Sequence, residues 1–323
     1  MIDAAERNMP MPDSIRGRLA PSPSGRMHVG NACSALLAWL SVRSRGGELV
    51  LRLEDLDPAR CRPEYAEQME DDLRWLGLDW DLGGSAGGPE FFQHSRGPLY
   101  QHYLDQLEQL GLLYPCFCSR GELHAASAPH ASDGTPIYPG TCRGLSHAQR
   151  EERARLRRPA LRVRVPDRTI SFSDGLMGPY QERLSRDCGD FILRRSDGVF
   201  AYQLAVVVDD ALMGVNQVVR GRDLLSSTPR QLWLQQVLGF PSPAYFHVPL
   251  LTAPDGRRLS KRDADLDLGA LRAAGVRPQA LTGRLAFWLG LLEDEEEASP
   301  AELISSFSWD KVRRTDIPVA PAP

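Results

Sequence analysis

Residues 18–31, R-L-A-P-S-P-S-G-R-M-H-V-G-N, combine side chains and backbone features that suit an anion. Two prolines and two glycines precede an apolar segment rich in Ala and Leu, which predicts a strand, a turn and a helix start. The free backbone N–H groups of a helix start attract phosphate. The glycines alone would equally mark an ordinary loop, because the stretch has neither G-x-x-x-x-G-K-[ST] nor G-x-G-x-x-G. His28, placed two residues before Gly30, favours a phosphate site together with Arg18 and Ser22.

Three carboxylates follow a second predicted strand. Residues 48–54, E-L-V-L-R-L-E, alternate as a strand does, and they lead into Glu54, Asp55 and Asp57. Parallel sheets present ligand-binding residues at the carboxyl ends of their strands. Asp55 and Asp57 precede prolines, so turn and helix-capping roles are favoured for them, which leaves Glu54 as the candidate ligand contact.

Two later segments also end in charged residues. Residues 202–210, Y-Q-L-A-V-V-V-D-D, are predicted to begin as a strand and end in Asp209 and Asp210. Paired carboxylates suit metal binding or proton transfer, but no catalytic ligand set surrounds this pair, so a structural role is favoured. Residues 216–221, N-Q-V-V-R-G, predict another strand, which ends at Arg220.

Three of the six cysteines, Cys116, Cys118 and Cys142, flank a polar loop rich in Pro and Gly. Their spacing leaves buried core cysteines and a zinc knuckle equally open, and it favours a nearby histidine as a fourth ligand. The uneven spacing of all six and the absence of a signal-like N-terminus argue against a disulfide framework.

A basic loop, D-G-R-R-L-S-K-R, occupies residues 255–262. Such a loop is often only a solvated turn. However, just two of the 38 lysine and arginine residues are lysines, and one of them is Lys261 in this loop. A lysine retained against that arginine bias indicates a candidate functional cation.

The elements that position these residues indicate an α/β fold that opens with a βαβ unit. Residues 160–165 and 169–172 predict an antiparallel piece inserted in the main sheet, and residues 191–204 predict a hairpin around Ser196-Asp197-Gly198. Helices are predicted over residues 64–76, 98–111, 228–238, 278–292 and 300–307.

Composition sets wide limits on function. With 323 residues, 42% hydrophobic and 25% charged, the chain is typical of soluble globular proteins with one large domain or two. A net charge of −4 argues against general coating of nucleic acid, although a local basic face remains open. No apolar run reaches the ~18 residues that span a bilayer, so a cytoplasmic protein is expected.

Taken together, these motifs resemble the class I aminoacyl-tRNA synthetases. The stretch 18–31 resembles their first signature, with Asn31 where a second histidine often stands, and its R-x-A-P-S-P-S-G resembles the glutamyl branch. R-L-E-D-L-D, Y-Q-L-A-V-V-V-D-D and the loop with Ser260-Lys261 resemble the later landmarks in the same order. The resemblance covers nearly the whole chain.

The resemblance implies a Rossmann-like parallel sheet with an inserted zinc-knuckle or acceptor-type subdomain and a short helical C-terminal region. The implied divisions are a loose leader (1–14), the first half of the catalytic domain (15–110), the insert (111–190), the second half of the catalytic domain (191–265) and the C-terminal region (266–323).

It also implies roles for individual residues. His28 and Lys261 would be catalytic, acting on the phosphates of ATP with Mg²⁺. Glu54 would bind the amino group of glutamate, and Arg220 a carboxylate. The implied glutamate-binding residues are Arg18, Ala20, Ser22, Glu54, Tyr202 and Arg220. The implied ATP-binding residues are His28, Gly30, Asn31, Ser260 and Lys261. The implied ligands of one structural zinc ion are Cys116, Cys118, Tyr138 and Cys142, with His130 as the alternative to Tyr138.

The length of the chain bears on the subtype. Sixty-two residues follow Lys261, whereas an anticodon-reading domain would need on the order of 100. The chain is therefore expected to resemble the truncated paralogues that transfer glutamate to queuosine in the anticodon of tRNA(Asp). The expected partners are ATP, L-glutamate and that tRNA, without a membrane or protein partner, and the expected state is a monomer. The alternatives are an enzyme that charges the 3′ end of tRNA(Glu) or tRNA(Gln), and a catalytically silent RNA-binding or regulatory paralogue.

Overall fold

The structure is a computed structural model, and it describes residues 14–119, 121–122, 137–257 and 267–319. The described strands are β1 (Arg16–Leu19), β2 (Glu48–Leu51), β3 (Leu82–Gly83), β4 (Leu113–Cys116), β5 (Ala160–Val163), β6 (Thr169–Asp174), β7 (Gly178–Arg183), β8 (Phe191–Arg194), β9 (Gln217–Gly221), β10 (Ala244–Val248), β11 (Leu251–Thr252) and β12 (Ile317–Pro318). The described α-helices are α1 (Val29–Arg43), α2 (Pro63–Trp75), α3 (Gly97–Gln109), α4 (His147–Leu156), α5 (Tyr202–Leu212), α6 (Thr228–Leu238), α7 (Leu268–Ala273), α8 (Pro278–Leu289) and α9 (Pro300–Leu303).

A parallel sheet forms the centre of the fold, as predicted. β1 pairs with β2 and β2 with β3, all in parallel, while β9 and β10 form a second parallel pair. The backbone N–H of Asn216, just before β9, donates to the carbonyl oxygen of Arg16 in β1 at 3.0 Å, so the two pairings lie side by side. The spatial order is therefore β3-β2-β1-β9-β10. From β1 the chain adds β2 and β3 on one side, and it later adds β9 and β10 on the other side, so the order of addition reverses between β1 and β9. Ligands of open α/β sheets bind at such a reversal.

Helix α1 packs directly over β1 and β9. Ten of its fifteen residues are buried, which explains why its sequence is apolar on nearly every face. A Cβ at Gly17 in β1 would lie only 2.5 Å from Cγ2 of Val42, so glycine allows this close approach of helix and strand. The C-terminal helices α8 and α9 contribute Leu285 and Leu303 to the same hydrophobic core.

A second core lies under the inserted segment. It joins α3, α5 and α6 to strands β5, β6 and β8, with Tyr100, Leu204 and Leu234 fully buried in it. The antiparallel piece predicted over residues 160–165 and 169–172 is present: β5 pairs with β4 and β8, and β6 pairs with β7, in sheets separate from the central pairings.

The prediction of a strand at the start of residues 202–210 is wrong, because these residues form helix α5. Every residue from Leu204 to Asp210 is buried, and a short apolar run buried on all sides does not distinguish a strand from a helix. For the same reason the predicted hairpin lacks a second strand: Arg194 bridges Phe200, and the helix begins two residues later. By contrast, α6 has the predicted bounds 228–238.

Among the described helices, none is both long and apolar enough to cross a membrane.

Candidate active site

A cavity of about 510 Å³ opens where the carboxyl ends of β1 and β9 meet the start of α1. It brings together residues that the sequence placed far apart. The predicted site residues that line it are Arg18, Ala20, Ser22, His28, Gly30, Asn31, Glu54, Tyr202 and Arg220. Ser260 and Lys261 of the basic loop, and the alternative zinc ligand His130, lie outside the described residues.

One end of the cavity is the start of α1. His28 is the N-cap residue with an extended backbone, and its carbonyl oxygen accepts the N–H groups of Asn31 and Ala32 at 2.9 and 3.1 Å. The first N–H groups of a helix have no partner within the helix, so they give this end a positive potential. Gly30 keeps the approach open, because a Cβ there would lie 3.3 Å from Nδ1 of His28.

This end is also tied to the chain that follows the basic loop. His28 forms an antiparallel bridge with Asp267, and the N–H of Leu268 donates to the carbonyl oxygen of Met27 at 3.0 Å. Residue 267 directly follows the segment 258–266, which contains Lys261. The chain is therefore anchored beside the start of α1 at residues 267 and 268.

Arg18 of β1 also lines the cavity. Its Nη1 donates to the carbonyl oxygen of Val219 at 2.7 Å, and its Nε is 3.8 Å from Oδ1 of Asp210. Burial lowers the pKa of Arg18 from its usual value, and Asp210 opposes this. The guanidinium is therefore fixed between β9 and α5 and carries its charge into a poorly solvated space.

Arg52 holds Glu54 in place, and sequence reasoning missed it. Its fully buried guanidinium donates through Nη1 to Oδ1 of Asp210 at 2.7 Å and through Nη2 to Oε1 of Glu54 at 3.0 Å. Burial lowers the pKa of Arg52, but the carboxylates Asp210, Asp209 and Glu54 raise it above its ordinary value. Burial raises the pKa of Glu54, which Arg52 and Arg18 oppose. Arg52 thus favours the charged form of Glu54.

The paired carboxylates Asp209 and Asp210 contact other side chains of the protein, which agrees with the structural role that the sequence favoured. Asp209 is fully buried and accepts hydrogen bonds from Nε of Arg96 (2.6 Å), Nε2 of Gln93 (2.7 Å) and Oη of Tyr100 (2.8 Å). Asp210 supports Arg52 and Arg18.

The two acidic residues assigned to turns behave differently from each other. Oδ1 of Asp57 accepts the backbone N–H of Ala59 at 3.2 Å, which is a turn contact as predicted. Asp55 accepts instead from the backbone N–H of His94 at 2.9 Å, and it contacts the ring of His94. Neither residue lines the cavity.

Arg220 also lines the cavity, and three hydrogen bonds hold its guanidinium group. Nε donates to Nε2 of His247 at 3.0 Å, Nη2 to Oγ1 of Thr228 at 2.7 Å and Nη1 to Oη of Tyr202 at 3.2 Å. His247 in turn contacts Asp174 of the insert, with 2.6 Å between Nδ1 and Oδ2. Burial lowers the pKa of His247 and Arg220 lowers it further, whereas Asp174 raises it, so the imidazole is neutral at pH 7.

The polar groups of the cavity match a particular kind of ligand. Two fixed guanidinium groups, Arg18 and Arg220, suit carboxylates, and the carboxylate Glu54 suits an ammonium group. The start of α1 suits a phosphate. The cavity can therefore accept an acidic amino acid beside a phosphorylated ligand.

The residues that sequence reasoning missed are Arg52, Asp174, Thr228 and His247. Arg52 carried a usable signal, because residues i and i+2 of a strand share a face and so place Arg52 beside Glu54. His247 is a lone histidine in a short apolar strand, a pattern that more often indicates core packing. The other two gave no signal, since their partners lie on other elements.

The cysteine cluster lies away from this cavity. The Sγ atoms of Cys116, Cys118 and Cys142 lie within 4.8 Å of one another, and those of Cys118 and Cys142 are 3.7 Å apart. Oη of Tyr138 is 3.6 Å from Sγ of Cys116 and 3.9 Å from Sγ of Cys118. The predicted ligand set therefore converges. Burial raises the pKa of Cys118 to about 12, so a cation that binds here must displace protons.

Comparison with known proteins agrees with this geometry. Residues 14–315 match the family model of the catalytic domain of class I tRNA synthetases (E and Q). A glutamyl-Q tRNA(Asp) synthetase of Nitratidesulfovibrio vulgaris is 54% identical over 299 residues, which cover 91% of this chain and 92% of that protein. One of Symbiobacterium thermophilum is 52% identical over 93% of this chain and 94% of that protein. The crystal structure of a glutamate tRNA ligase from Elizabethkingia meningosepticum, in complex with its amino acid, superposes with a TM-score of 0.80 at 26% identity. It covers 96% of this chain and 67% of that one.

Proposed function

Since the chain belongs to the class I tRNA synthetases of the glutamyl and glutaminyl type, we propose that it activates L-glutamate with ATP and transfers it to queuosine in tRNA(Asp). The observation that carries this proposal is a single cavity in which Arg18, Arg220 and Glu54 face the start of α1. The names of the relatives that match over more than nine-tenths of their length support tRNA(Asp) as the acceptor.

In the first step an oxygen of the glutamate α-carboxylate attacks the α-phosphorus of ATP. The bond from that phosphorus to the bridging oxygen of the β-phosphate breaks, and pyrophosphate leaves with the bonding electrons. The product is glutamyl adenylate. In the second step a hydroxyl oxygen of the queuosine ring attacks the activated carbonyl carbon. The bond from that carbon to the phosphate oxygen breaks, AMP leaves with the bonding electrons, and the hydroxyl proton is released as the ester forms. Neither step requires a covalent bond to the protein.

The residues of the cavity perform this chemistry by placement and electrostatics. Glu54, whose charged form Arg52 favours, binds the ammonium group, while Arg18 and Arg220 bind the side-chain carboxylate. The start of α1 and His28 contact the phosphates. We assign Lys261 to the leaving pyrophosphate, because the chain that follows its loop is anchored to His28 and Met27. Mg²⁺ bound with ATP would supply further neutralisation of phosphate charge.

We also propose that Cys116, Cys118, Tyr138 and Cys142 hold one structural zinc ion. With Zn–S bonds of about 2.3 Å, the edge of a tetrahedron is about 3.8 Å. The distance of 3.7 Å between two Sγ atoms fits that edge. The distances of 3.6 and 3.9 Å from Oη of Tyr138 to two Sγ atoms lie near the shorter edge, about 3.5–3.7 Å, that an oxygen ligand gives. Four protein ligands would leave no open position, so the ion would stabilise the insert and take no part in catalysis.

Two arginines support an anionic ligand set at this cluster. Nε of Arg162 donates to Sγ of Cys116 at 3.2 Å, and its guanidinium carbon lies 3.9 Å from the ring centre of Tyr138. Nη1 of Arg153 is 3.9 Å from Sγ of Cys142. These cations offset the excess negative charge that three thiolates and a phenolate would place around a divalent ion.

The experiment that tests the function is transfer of labelled glutamate, with ATP and Mg²⁺, to three tRNAs. These are tRNA(Asp) with queuosine, the same tRNA with unmodified guanosine, and tRNA(Glu). Labelling of only the queuosine-containing tRNA is expected, and the label should be released by mild base because it is held as an ester. Charging of tRNA(Glu) alone would instead establish a minimal glutamyl-tRNA synthetase. Absence of glutamate-dependent pyrophosphate exchange would leave a catalytically silent paralogue.

A further inference from the structure

Three buried side chains form a hydrogen-bonded chain that runs from the insert to Arg220 in the cavity. Asp174 ends strand β6, His247 lies in β10, and Arg220 lies in β9. All three are at most 5% exposed. The proposed roles of Arg220 and Glu54 do not account for this chain.

Asp174 is fixed as an anion. Its Oδ1 accepts the backbone N–H groups of Leu176, Met177 and His247 at 3.0, 2.9 and 3.1 Å. Burial raises the pKa of Asp174, but the hydrogen bonds from His247 and from these backbone groups lower it below its usual value. The carboxylate therefore does not rotate or take up a proton near neutral pH.

This anion decides which nitrogen of His247 carries the proton. Nδ1 is 2.6 Å from Oδ2 of Asp174, so Nδ1 is the donor. Nε2 then presents a lone pair, and that lone pair accepts Nε–H of Arg220 at 3.0 Å. If Nε2 carried the proton, Nε2–H of His247 and Nε–H of Arg220 would be two donors facing each other, and this bond would be lost.

The bond to His247 sets the orientation of the guanidinium plane. Nε and Nη2 lie on one edge of Arg220, and this edge is taken by His247 and by Oγ1 of Thr228. Nη1 donates to Oη of Tyr202. Each Nη nitrogen carries a second N–H, so the end of the fork formed by Nη1 and Nη2 remains for a ligand in the cavity. That end can bind a carboxylate through two parallel hydrogen bonds.

We infer that His247, oriented by Asp174, is a positioning residue that fixes Arg220 for the side-chain carboxylate of the amino-acid substrate and thereby sets selectivity for glutamate. The inference rests on the proposed function, whose substrate it concerns. It makes the insert part of the amino-acid site through Asp174, although Asp174 itself does not line the cavity.

The test compares His247→Phe with His247→Gln. Phenylalanine keeps a planar ring but offers no acceptor, so Nε of Arg220 is left buried and unpaired. Glutamine can accept from Arg220 through its amide oxygen and donate to Asp174 through its amide nitrogen. In glutamate-dependent pyrophosphate exchange, we expect His247→Phe to raise KM for glutamate about tenfold or more, since hydrogen bonds to charged groups are among the stronger ones. KM for ATP should change less than about twofold, and His247→Gln should restore KM for glutamate to within about threefold of the wild type.

His102→Phe is the matched control, because His102 is exposed on α3, where it bonds Gln106, and does not line the cavity. It should leave both KM values unchanged. If neither His247 variant folds, as judged by the urea midpoint, Thr228→Val decides the matter. It removes the hydroxyl that contacts both Nη2 of Arg220 and Nε2 of His247, with almost no change in volume, and it should also raise KM for glutamate.

Three results would overturn the inference. The first is that the wild type and His247→Phe have the same KM for glutamate. The second is that His247→Phe raises KM for glutamate and KM for ATP equally. The third applies if neither His247 variant folds, and it is that Thr228→Val leaves KM for glutamate unchanged. Calorimetric titration with glutamate separates this inference from the proposed function. If the wild type binds glutamate and His247→Phe binds it more weakly, the inference is upheld even if no pyrophosphate exchange occurs. Failure of the wild type to bind glutamate overturns both.

Discussion

Replacing Arg52 with methionine tests whether a buried ion network holds the amino-acid site together. Arg52 is fully buried and gives one hydrogen bond each to Asp210 and Glu54, while its Nε lies 3.8 Å from Asp209. Methionine has a similar length but no charge. The variant would leave the carboxylates of Glu54 and Asp210 without their shared cation.

The magnitude follows from the burial of the pair. Removing one partner of a buried ion pair costs about 3–5 kcal/mol, because the other charge stays buried without compensation. Folded domains are stable by only about 5–15 kcal/mol, so the expected loss is a large fraction of the total. An exposed pair provides the contrast: Arg284 contacts Glu295 at 2.6 Å with side chains 37% and 45% exposed, and Arg284→Met should cost at most ~1 kcal/mol.

The loss should depend on pH with a definite sign. Burial already raises the pKa of Glu54, and removal of Arg52 removes the largest opposing influence, so that pKa rises further. A carboxyl group whose pKa is higher in the folded state binds more protons there, so stability falls as pH rises from the unfolded pKa through the folded one. The deficit of Arg52→Met should therefore be larger at pH 8 than at pH 5, by about 1.4 kcal/mol for each further unit of pKa.

Urea unfolding at the two pH values, followed by circular dichroism, measures this. The wild type, Arg52→Met and Arg284→Met should be compared under the same conditions. The reasoning is refuted if Arg52→Met is no less stable than Arg284→Met, or if its deficit is larger at pH 5 than at pH 8.

Three further substitutions follow from the same site and from the cysteine cluster. Glu54→Gln should raise KM for glutamate about tenfold or more in pyrophosphate exchange and leave KM for ATP within about twofold, because an uncharged amide cannot form an ion pair with an ammonium group. Equal changes in the two KM values would contradict the role of Glu54. Arg220→Lys should lower the preference for glutamate over glutamine about tenfold, because a lysine cannot form the two parallel bonds of a guanidinium; the ratio of kcat/KM for the two amino acids measures it. Cys118→Ala should reduce zinc content, measured by elemental analysis of the purified protein, whereas Cys33→Ala, in the buried helix α1, should not.

Local sequence patterns predicted the parts of this fold that depend on local structure. The Pro- and Gly-rich turn before α1 and the bounds of α6 required no knowledge of partners. The strand predicted at residue 202 was wrong because burial on all sides removes the periodicity that separates strands from helices. The polar partners of this helix are tertiary: Asp209 and Asp210 meet arginines that come from other elements.

The predicted cavity residues converge because motifs at the ends of parallel strands must meet at one edge of a sheet. Their supports could not be predicted in the same way. Arg52 and Asp210 are 158 positions apart, and Asp174 and His247 are 73 apart, so each pair is created by the fold alone. Asp174 lies in the insert, where antiparallel pairing gave no reason to expect a contact with the site. The residues proposed to bind the substrates lie in recognisable motifs, whereas the residues that orient them do not.

The family that this chain matches contains both glutamyl and glutaminyl enzymes. The contacts that distinguish glutamate from glutamine can be sought at individual residues of the site. Glutamate and glutamine have nearly the same size and differ at the end of the side chain. A carboxylate accepts two hydrogen bonds from the Nη1–Nη2 end of Arg220, but a carboxamide would place an N–H donor against one of these nitrogens. Arg220 cannot rotate away to avoid this, because His247, Thr228 and Tyr202 hold it. Glutamine would therefore leave part of a buried guanidinium unpaired, and a buried polar group left unpaired is what gives a site its strongest discrimination. We therefore infer that selectivity for glutamate depends on the rigidity of Arg220 as much as on its charge.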